Sequence, residues 1–291
     1  MKIIKYFFEF ISIISLFFIF KIIGLKNASN LGSVLGKSFG PLFRSSNIIK
    51  KNIKNALGQL DKEKESQIIE SMWSNIGRTF AEYVFLKDFR FNKTNPKHIE
   101  IKGTNYLDEI KKNNEVVIFY SAHFANFELM AMELYKFGIK CAAIYRPLNN
   151  FFLNPVMEYL RIKYICPNQI PKGRKGMKEL INKIKNGYSV ALMVDQRVSE
   201  GPRISFFNKA AHTTTIPAQL ILKYNCKLVP ISLERKESTN FKMTIHEPYK
   251  IERTGNDDND IMNITLKINE TIEKMIINNS GQWIWSHNRW K

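Results

Sequence analysis

Cysteine is scarce in this chain and poorly placed for crosslinking. Cys141, Cys166 and Cys226 are odd in number and far apart. That excludes a disulfide scaffold and favours a reduced compartment. No C-x-x-C or H-x-x-H pairing exists, so the spacing of a structural zinc site is missing. No G-x-S-x-G elbow is present, which disfavours an ordinary serine hydrolase. No G-x-G-x-x-G follows a strand-like run. Gly32–Ser38, GSVLGKS, only imitates a phosphate loop: three residues separate its glycines where four are needed, and no strand precedes it. Acidic residues are also in deficit. The 291 residues hold 26 Asp and Glu against 44 Lys and Arg, a formal charge of +18. A chain so basic calls for an acidic partner, and nucleic acid, anionic lipid and an acidic protein all qualify. What is plentiful is apolar surface: 44% hydrophobic and 12% aromatic residues exclude a mainly disordered chain.

Long apolar runs are confined to the N-terminus. Tyr6–Leu25 reads YFFEFISIISLFFIFKIIGL, with Glu9 and Lys21 near its ends. Twenty helical residues span about 30 Å, the hydrocarbon thickness of a bilayer. A membrane anchor over residues 1–26 is the expectation. A cleaved signal peptide, with Ala28-Ser29 as a weak cleavage site, and a buried core helix are the rivals. Lys26, Lys37, Arg44, Lys50, Lys51 and Lys54 follow the run and only Lys2 and Lys5 precede it. That asymmetry places the main body on the cytoplasmic side.

Beyond the anchor two periods alternate. Asp61 is a plausible N-cap, and Ile68, Ile69, Met72, Trp73, Ile76, Phe80, Tyr83 and Val84 recur at three-and-four spacing, predicting an amphipathic helix over 61–86. Val116–Tyr120, Cys141–Tyr145, Val190–Val194 and Leu228–Leu233 read as strands, with Ile162–Cys166 a fifth. Helical stretches near 127–137, 152–160, 175–186 and 216–224 lie between them, and 260–278 reads as a final helix. Alternation at this spacing predicts an α/β fold with a mostly parallel central sheet flanked by helices. The expected division is one α/β domain over 27–291, with a helical subregion at 27–100.

The sharpest chemical signal is Ser121-Ala122-His123-Phe124-Ala125-Asn126-Phe127-Glu128, directly after the first strand. Ligand sites in open α/β sheets lie at the carboxyl ends of strands. Asn126 is positioned to cap a helix beginning at Phe127. His123, in the loop before that cap, is free to fold back toward Glu128. A carboxylate on one ring nitrogen fixes the tautomer and leaves the other nitrogen basic. This is the base and orienter of a triad without a protein nucleophile, so the substrate supplies the attacking group, most simply a hydroxyl. The bland alternative is a histidine that merely caps a strand–helix junction.

SAHFANFEL resembles the H-x-x-x-x-D/E block of glycerolipid-type acyltransferases, and more closely the late acyltransferases of lipid A biosynthesis, where Glu follows His. Further blocks appear in the same order: Tyr145-Arg146-Pro147-Leu148-Asn149-Asn150; Pro171–Leu180 followed by Val194-Asp195-Gln196; Phe206-Phe207-Asn208 with Thr213-Thr214-Thr215; and Trp283-Ile284-Trp285-Ser286-His287-Asn288-Arg289-Trp290-Lys291. The resemblance covers nearly the whole chain, anchor included. Asn208 departs from a usual Gly, and Ser121 stands where Gly often precedes the His block.

The resemblance implies transfer of a fatty acyl chain from an acyl carrier protein thioester to a hydroxyl of a lipid A precursor in lipopolysaccharide biosynthesis. It implies a glycerolipid-acyltransferase-like fold, a catalytic domain on the cytoplasmic face of the bacterial inner membrane (single-pass or monotopic), and no metal or organic cofactor. His123 is the expected general base and Glu128 its orienter, an HX4E pair. Asn126, Arg146, Arg161, Arg174 and Asp195 are the expected substrate-binding residues. Arg146 would clamp an anion bidentately, and Asp195, at a strand end, would organise the arginines. Each has a plainer reading, as a solvated arginine or a turn residue. Trp283, Trp285 and Trp290 suit either a membrane interface or a packed core edge. His98, His212, His246 and His287 are expected to be structural or exposed.

Two readings of other classes compete. A membrane-tethered basic nucleic-acid binder explains the charge, but not His123 and Glu128 at a strand end. It also calls for a basic recognition helix or an aromatic sheet motif, which the sequence lacks. A silent scaffold of the same fold leaves the intact His/Glu pair unexplained. Within the enzyme class, an acyltransferase for another glycolipid or phospholipid is the near rival.

Overall fold

A computed structural model describes residues 2–91 and 98–291; the part of the 27–100 subregion at 92–97 lies outside the described residues. The apolar N-terminal run forms α1 (Lys2–Ile23), long and apolar enough to cross a membrane. It ends at Gly24, whose positive φ of 80° re-aims the chain into α2 (Leu25–Phe43). One face of α1 lies on the protein along most of its length. Near its start, Asn150 donates to the Tyr6 carbonyl (2.9 Å), while Phe151 and Phe152 meet Tyr6, Phe7 and Phe10 edge-on or tilted. Near its end, Phe17 and Phe20 pack on Phe80, and Lys21 pairs with Asp88 at 2.9 Å. The opposite face leaves Ile3, Ile4, Phe8, Phe18 and Ile22 exposed.

Sequence periodicity did not announce α2 or α3 (Ser46–Leu57). Their cue is small residues. Gly32 and Gly36 of α2 lie directly against Trp73 and Gly77 of α4 (Lys62–Glu82), so close that a Cβ at Gly32, Gly36 or Gly77 would collide with the facing backbone. The false phosphate loop is therefore a helix-packing seam. Asp61 caps α4 as expected, accepting from the Lys64 amide at 2.7 Å. A 3-10 turn at Tyr83–Phe85 leads into α5 (Leu86–Phe91).

The core is a seven-stranded sheet. Its strands are β1 (Ile99–Lys102), β2 (Val117–Ser121), β3 (Cys141–Tyr145), β4 (Asn168–Pro171), β5 (Ser189–Met193), β8 (Lys227–Glu237) and β9 (Asn240–Ile245), in the order β1-β9-β8-β2-β5-β3-β4. All neighbours are parallel except β8 and β9. The helices between them are α6 (Thr104–Lys112), α7 (Glu128–Lys136), α8 (Asn154–Leu160), α9 (Arg174–Lys185), α10 (Ile216–Tyr224) and α11 (Asp257–Asn278). β6 (Arg203–Phe206) and β7 (Lys209–His212) form a separate antiparallel hairpin. The α/β expectation holds, with a mainly parallel sheet and flanking helices. β2 is buried at all five positions, as a central parallel strand with both faces covered must be.

Ile162–Cys166 is a correction. Arg161–Ile165 is a π-helical turn continuing α8, and the strand begins later, at Asn168. A short apolar run does not by itself separate strand from buried helix.

The last nine residues pack rather than face a membrane. Trp283 and Trp285 are buried, Phe124 and Trp283 form an isolated antiparallel bridge, and Trp290 stacks against Phe206. Arg289 is fully buried, donating to the His212 carbonyl and the Thr213 hydroxyl with its guanidinium over the Phe206 ring.

Candidate active site

His123 lies just beyond β2 and Asp195 just beyond β5. The two strands are parallel neighbours, with Ser121 opposite Met193, and the Val194 amide bonds the Ser121 carbonyl at 3.0 Å. This register delivers both side chains to the same point on the carboxyl edge of the sheet, where open α/β folds bind ligands. His123 Nδ1 is 2.7 Å from Asp195 Oδ1, and the His123 amide donates to Asp195 Oδ2 at 3.1 Å.

Asp195 is buried and held by a third donor, the Trp283 indole, at 2.8 Å from Oδ2. Burial alone would raise its pKa. The charge of His123, together with the hydrogen bonds from His123 and Trp283, outweighs burial and holds the carboxyl at about 2. An ionised Asp195 fixes the imidazole with hydrogen on Nδ1, leaving Nε2 as the basic nitrogen. Among the described residues Nε2 has no hydrogen-bond partner. The His123 side chain keeps 18% of its surface exposed, and the Phe127 ring lies edge-on to it at 4.8 Å.

The loop carrying His123 is strapped from behind. Ala125 has a positive φ of 47°, and its carbonyl accepts from Thr79 (2.9 Å) and Asn75 (3.1 Å) of α4. The Asn126 side chain does not cap α7 as expected. The helix begins at Glu128 without a side-chain cap, and Asn126 Nδ2 instead donates to Glu82 Oε2 at 2.9 Å. Glu82 is completely buried and also takes Ser29 (2.8 Å) and the Arg235 guanidinium. A buried carboxylate is tolerable only when paired and hydrogen-bonded in this way.

Glu128 does not pair with His123, which corrects the expected HX4E orientation. As the first residue of α7 it turns its carboxylate to the Tyr83 hydroxyl and to Arg161, whose Nη2 and Nε lie 2.7 and 3.0 Å away. The local reason is competition. Asp195 reaches Nδ1 from the adjacent strand, while Arg161 presents a two-pronged guanidinium that matches a carboxylate better than a neutral ring does. Arg161 also lies over the Tyr145 ring, and among the described residues its buried Nη1 has no hydrogen-bond partner. Arg146 is exposed just beyond β3, and Arg174 is exposed at the start of α9. No hydrogen bond joins either to the His123–Asp195 pair.

His287, expected to be structural or exposed, sits beside the pair. Its Nε2 accepts the Arg197 amide at 2.8 Å. Desolvation lowers its pKa to about 4; Asp195 opposes that, and His123, Arg289 and Arg44 reinforce it. Trp283, for which the sequence leaves a membrane interface or a packed core edge open, is buried and donates to Asp195. The only sequence cue to either was the density of polar and aromatic residues in the terminal block. Among the described residues no group of three His, Cys, Asp or Glu side chains could hold a metal ion.

The bacterial lipid A biosynthesis acyltransferase family matches residues 1–291. The chain belongs to that family. Among its relatives, lipid A biosynthesis acyltransferase 2 of Shigella flexneri is 26% identical over 193 residues, covering 65% of this chain and 60% of that protein. The lipid A biosynthesis acyltransferase of Haemophilus influenzae is 23% identical over 275 residues, covering 88% and 83%. The lipid A biosynthesis lauroyltransferase of Escherichia coli is 23% identical over 269 residues, covering 90% and 84%. In this chain the His123 loop stands on a strand end, and its carboxylate partner comes from the neighbouring strand.

Proposed function

We propose that the chain transfers a fatty acyl group from an acyl carrier protein thioester to a hydroxyl of a lipid A precursor. The single observation carrying the mechanism is the His123–Asp195 contact at 2.7 Å. Nε2 of His123 removes the proton as the acceptor oxygen attacks the thioester carbonyl. The tetrahedral intermediate collapses with loss of the carrier thiolate, which takes the proton back from the imidazolium. Asp195 fixes the tautomer and stabilises the imidazolium. Glu128 holds Arg161 in place, and the free Nη1 edge of Arg161 donates to an anionic substrate oxygen. Backbone amides at the start of α7 supply the oxyanion with further donors. Arg146 and Arg174, exposed near the same sheet edge, meet phosphate or the acidic carrier. The +18 charge favours both encounters.

The test is acyl transfer from labelled acyl carrier protein to a lipid A precursor. The reading predicts a product carrying one added acyl chain by mass spectrometry, and no transfer to a glycerol phosphate acceptor. The reverse preference would favour the glycolipid or phospholipid rival.

Membrane attachment is proposed to be monotopic, on the cytoplasmic face of the inner membrane. Contacts with the domain run from Tyr6 to Lys21, about 22 Å along α1. A helix crossing the bilayer would drag Asn150, Phe80 and Asp88 into the hydrocarbon. Lying in the plane, α1 buries its exposed Ile and Phe row in lipid and leaves the domain in water. A Lys2→Cys variant, at the exposed polar start of α1, should react with an impermeant maleimide from the side that exposes the catalytic domain; reaction only from the other side would establish a spanning helix.

A further inference from the structure

A cleft of about 560 Å³ opens between α2, α4, the end of β8 and the end of α11, and neither His123 nor Asp195 lines it. Four cationic side chains line it, Lys37, Arg78, Arg235 and Lys236, against one carboxylate, Glu70. Their charges are unequally compensated. Arg235 is neutralised from behind by buried Glu82. Lys37 with Glu70 (3.0 Å) and Lys236 with Glu234 (2.7 Å) are largely solvent-exposed pairs, which hold their partners weakly. Arg78 has only neutral partners, Ser29 Oγ at 3.2 Å and Asn30 Oδ1 at 2.8 Å, and among the described residues no carboxylate lies within ion-pair distance of it. Its half-buried guanidinium is depressed by desolvation and by the like charge of Arg235, with Glu82 opposing. An anion in the cleft would relieve that repulsion.

The rest of the wall is uncharged and hydrogen-bonding. The side chains of Ser71, Asn278, Asn279 and Ser280 line the cleft and bond to nothing else in the described protein. Hydroxyls and amides with both donors and acceptors suit a polyhydroxylated ligand better than a bare anion. The volume is ample for a sugar carrying a phosphate.

We propose that this cleft binds a phosphorylated sugar, with Arg78 and Lys37 on the phosphate and the serine and asparagine wall on the sugar hydroxyls. The same chemistry exists in a free sugar phosphate and in one carried as a lipid headgroup. The site stands behind the catalytic loop, because Asn75 lines the cleft and also donates to the Ala125 carbonyl. It does not depend on the transfer reaction.

The experiment uses the full chain in detergent micelles and titrates glucose 1-phosphate, glucose and inorganic phosphate by calorimetry, with a phosphorylated glycolipid in mixed micelles as a separate arm. Glucose 1-phosphate or the glycolipid should bind at least tenfold more tightly than inorganic phosphate or glucose. Arg78→Gln should weaken that binding at least tenfold, and His123→Ala should leave it unchanged while abolishing acyl transfer. Binding of both sugar phosphates places recognition in the headgroup alone; binding of the glycolipid only, with the same Arg78 dependence, places it on a lipid. The proposal is overturned if neither binds, if inorganic phosphate binds as tightly, or if Arg78→Gln changes nothing. Should Arg78→Gln fail to fold by circular dichroism, Ser71→Asp, at an exposed position of α4, sets a carboxylate in the same cleft and must produce the same loss.

Discussion

Asp195 accepts from the His123 ring at 2.7 Å and is separated from it by the same 72 residues that separate the paired strand ends Met193 and Ser121. The contact is thus a product of strand register. A slip of either strand by one residue would turn one of the two side chains to the other face of the sheet. Three donors converge on the Asp195 carboxylate, from the His123 ring, the His123 amide and the Trp283 indole.

Asp195→Asn should retain the fold and lose the ionised acceptor. With the tautomer no longer fixed, kcat should fall by about 10²–10⁴-fold and KM should change little, as expected when an orienting carboxylate becomes an amide. Steady-state kinetics check this. A fall confined to KM would contradict the orienting role.

Asp195 also makes a directional statement about acid stability. Its folded pKa of about 2 lies below the ordinary aspartate value of 3.8. Its contribution is therefore fully present above about pH 4–5 and is lost as pH falls toward 2, amounting to about 2 kcal/mol. Trp283→Phe removes one of the stabilising donors. Chemical denaturation at neutral pH should register a loss of about 1–2 kcal/mol.

His287 acts at higher pH. Its folded pKa is about 4 against an ordinary histidine value of 6.5, so the unfolded chain takes up a proton that the folded chain refuses. Stability is lost as pH falls from about 6.5 to about 4. His287→Gln can keep an acceptor for the Arg197 amide without titrating, and should flatten the thermal-melt profile across that window.

Glu128→Ala strands the Arg161 guanidinium in a mostly buried setting, and should cost about 3 kcal/mol by denaturant unfolding. The double variant Glu128→Gln with Arg161→Met should recover much of that stability. If Glu128 acts through Arg161, both variants reduce transfer while the pH dependence set by His123 stays in place. A shifted pH profile in Glu128→Gln would mean that Glu128 acts on the imidazole directly.

Much of this architecture was readable in advance. The strands β2, β3, β5 and β8 announced themselves as apolar runs, and α4 by periodicity and its Asp61 cap. His123 stood out because a polar block followed a strand. What the sequence concealed was tertiary. The partner of His123 is set by which strands are neighbours, and the linear spacing to Glu128 suggested the wrong carboxylate. Trp283 and His287 reach the site from the far end of the chain, a closure that no local pattern encodes. α2 packs through glycines whose spacing resembled a phosphate loop, and the run at 162–166 carried a strand's composition in a helical turn.

The central claim is that His123 is the base. The most direct measurement is single-turnover transfer of a radiolabelled acyl chain from acyl carrier protein to a lipid A precursor, comparing the wild-type protein with His123→Ala in the same membranes. The account predicts at least a 10³-fold slower transfer with unchanged membrane association and circular dichroism. Transfer by His123→Ala at the wild-type rate would contradict it.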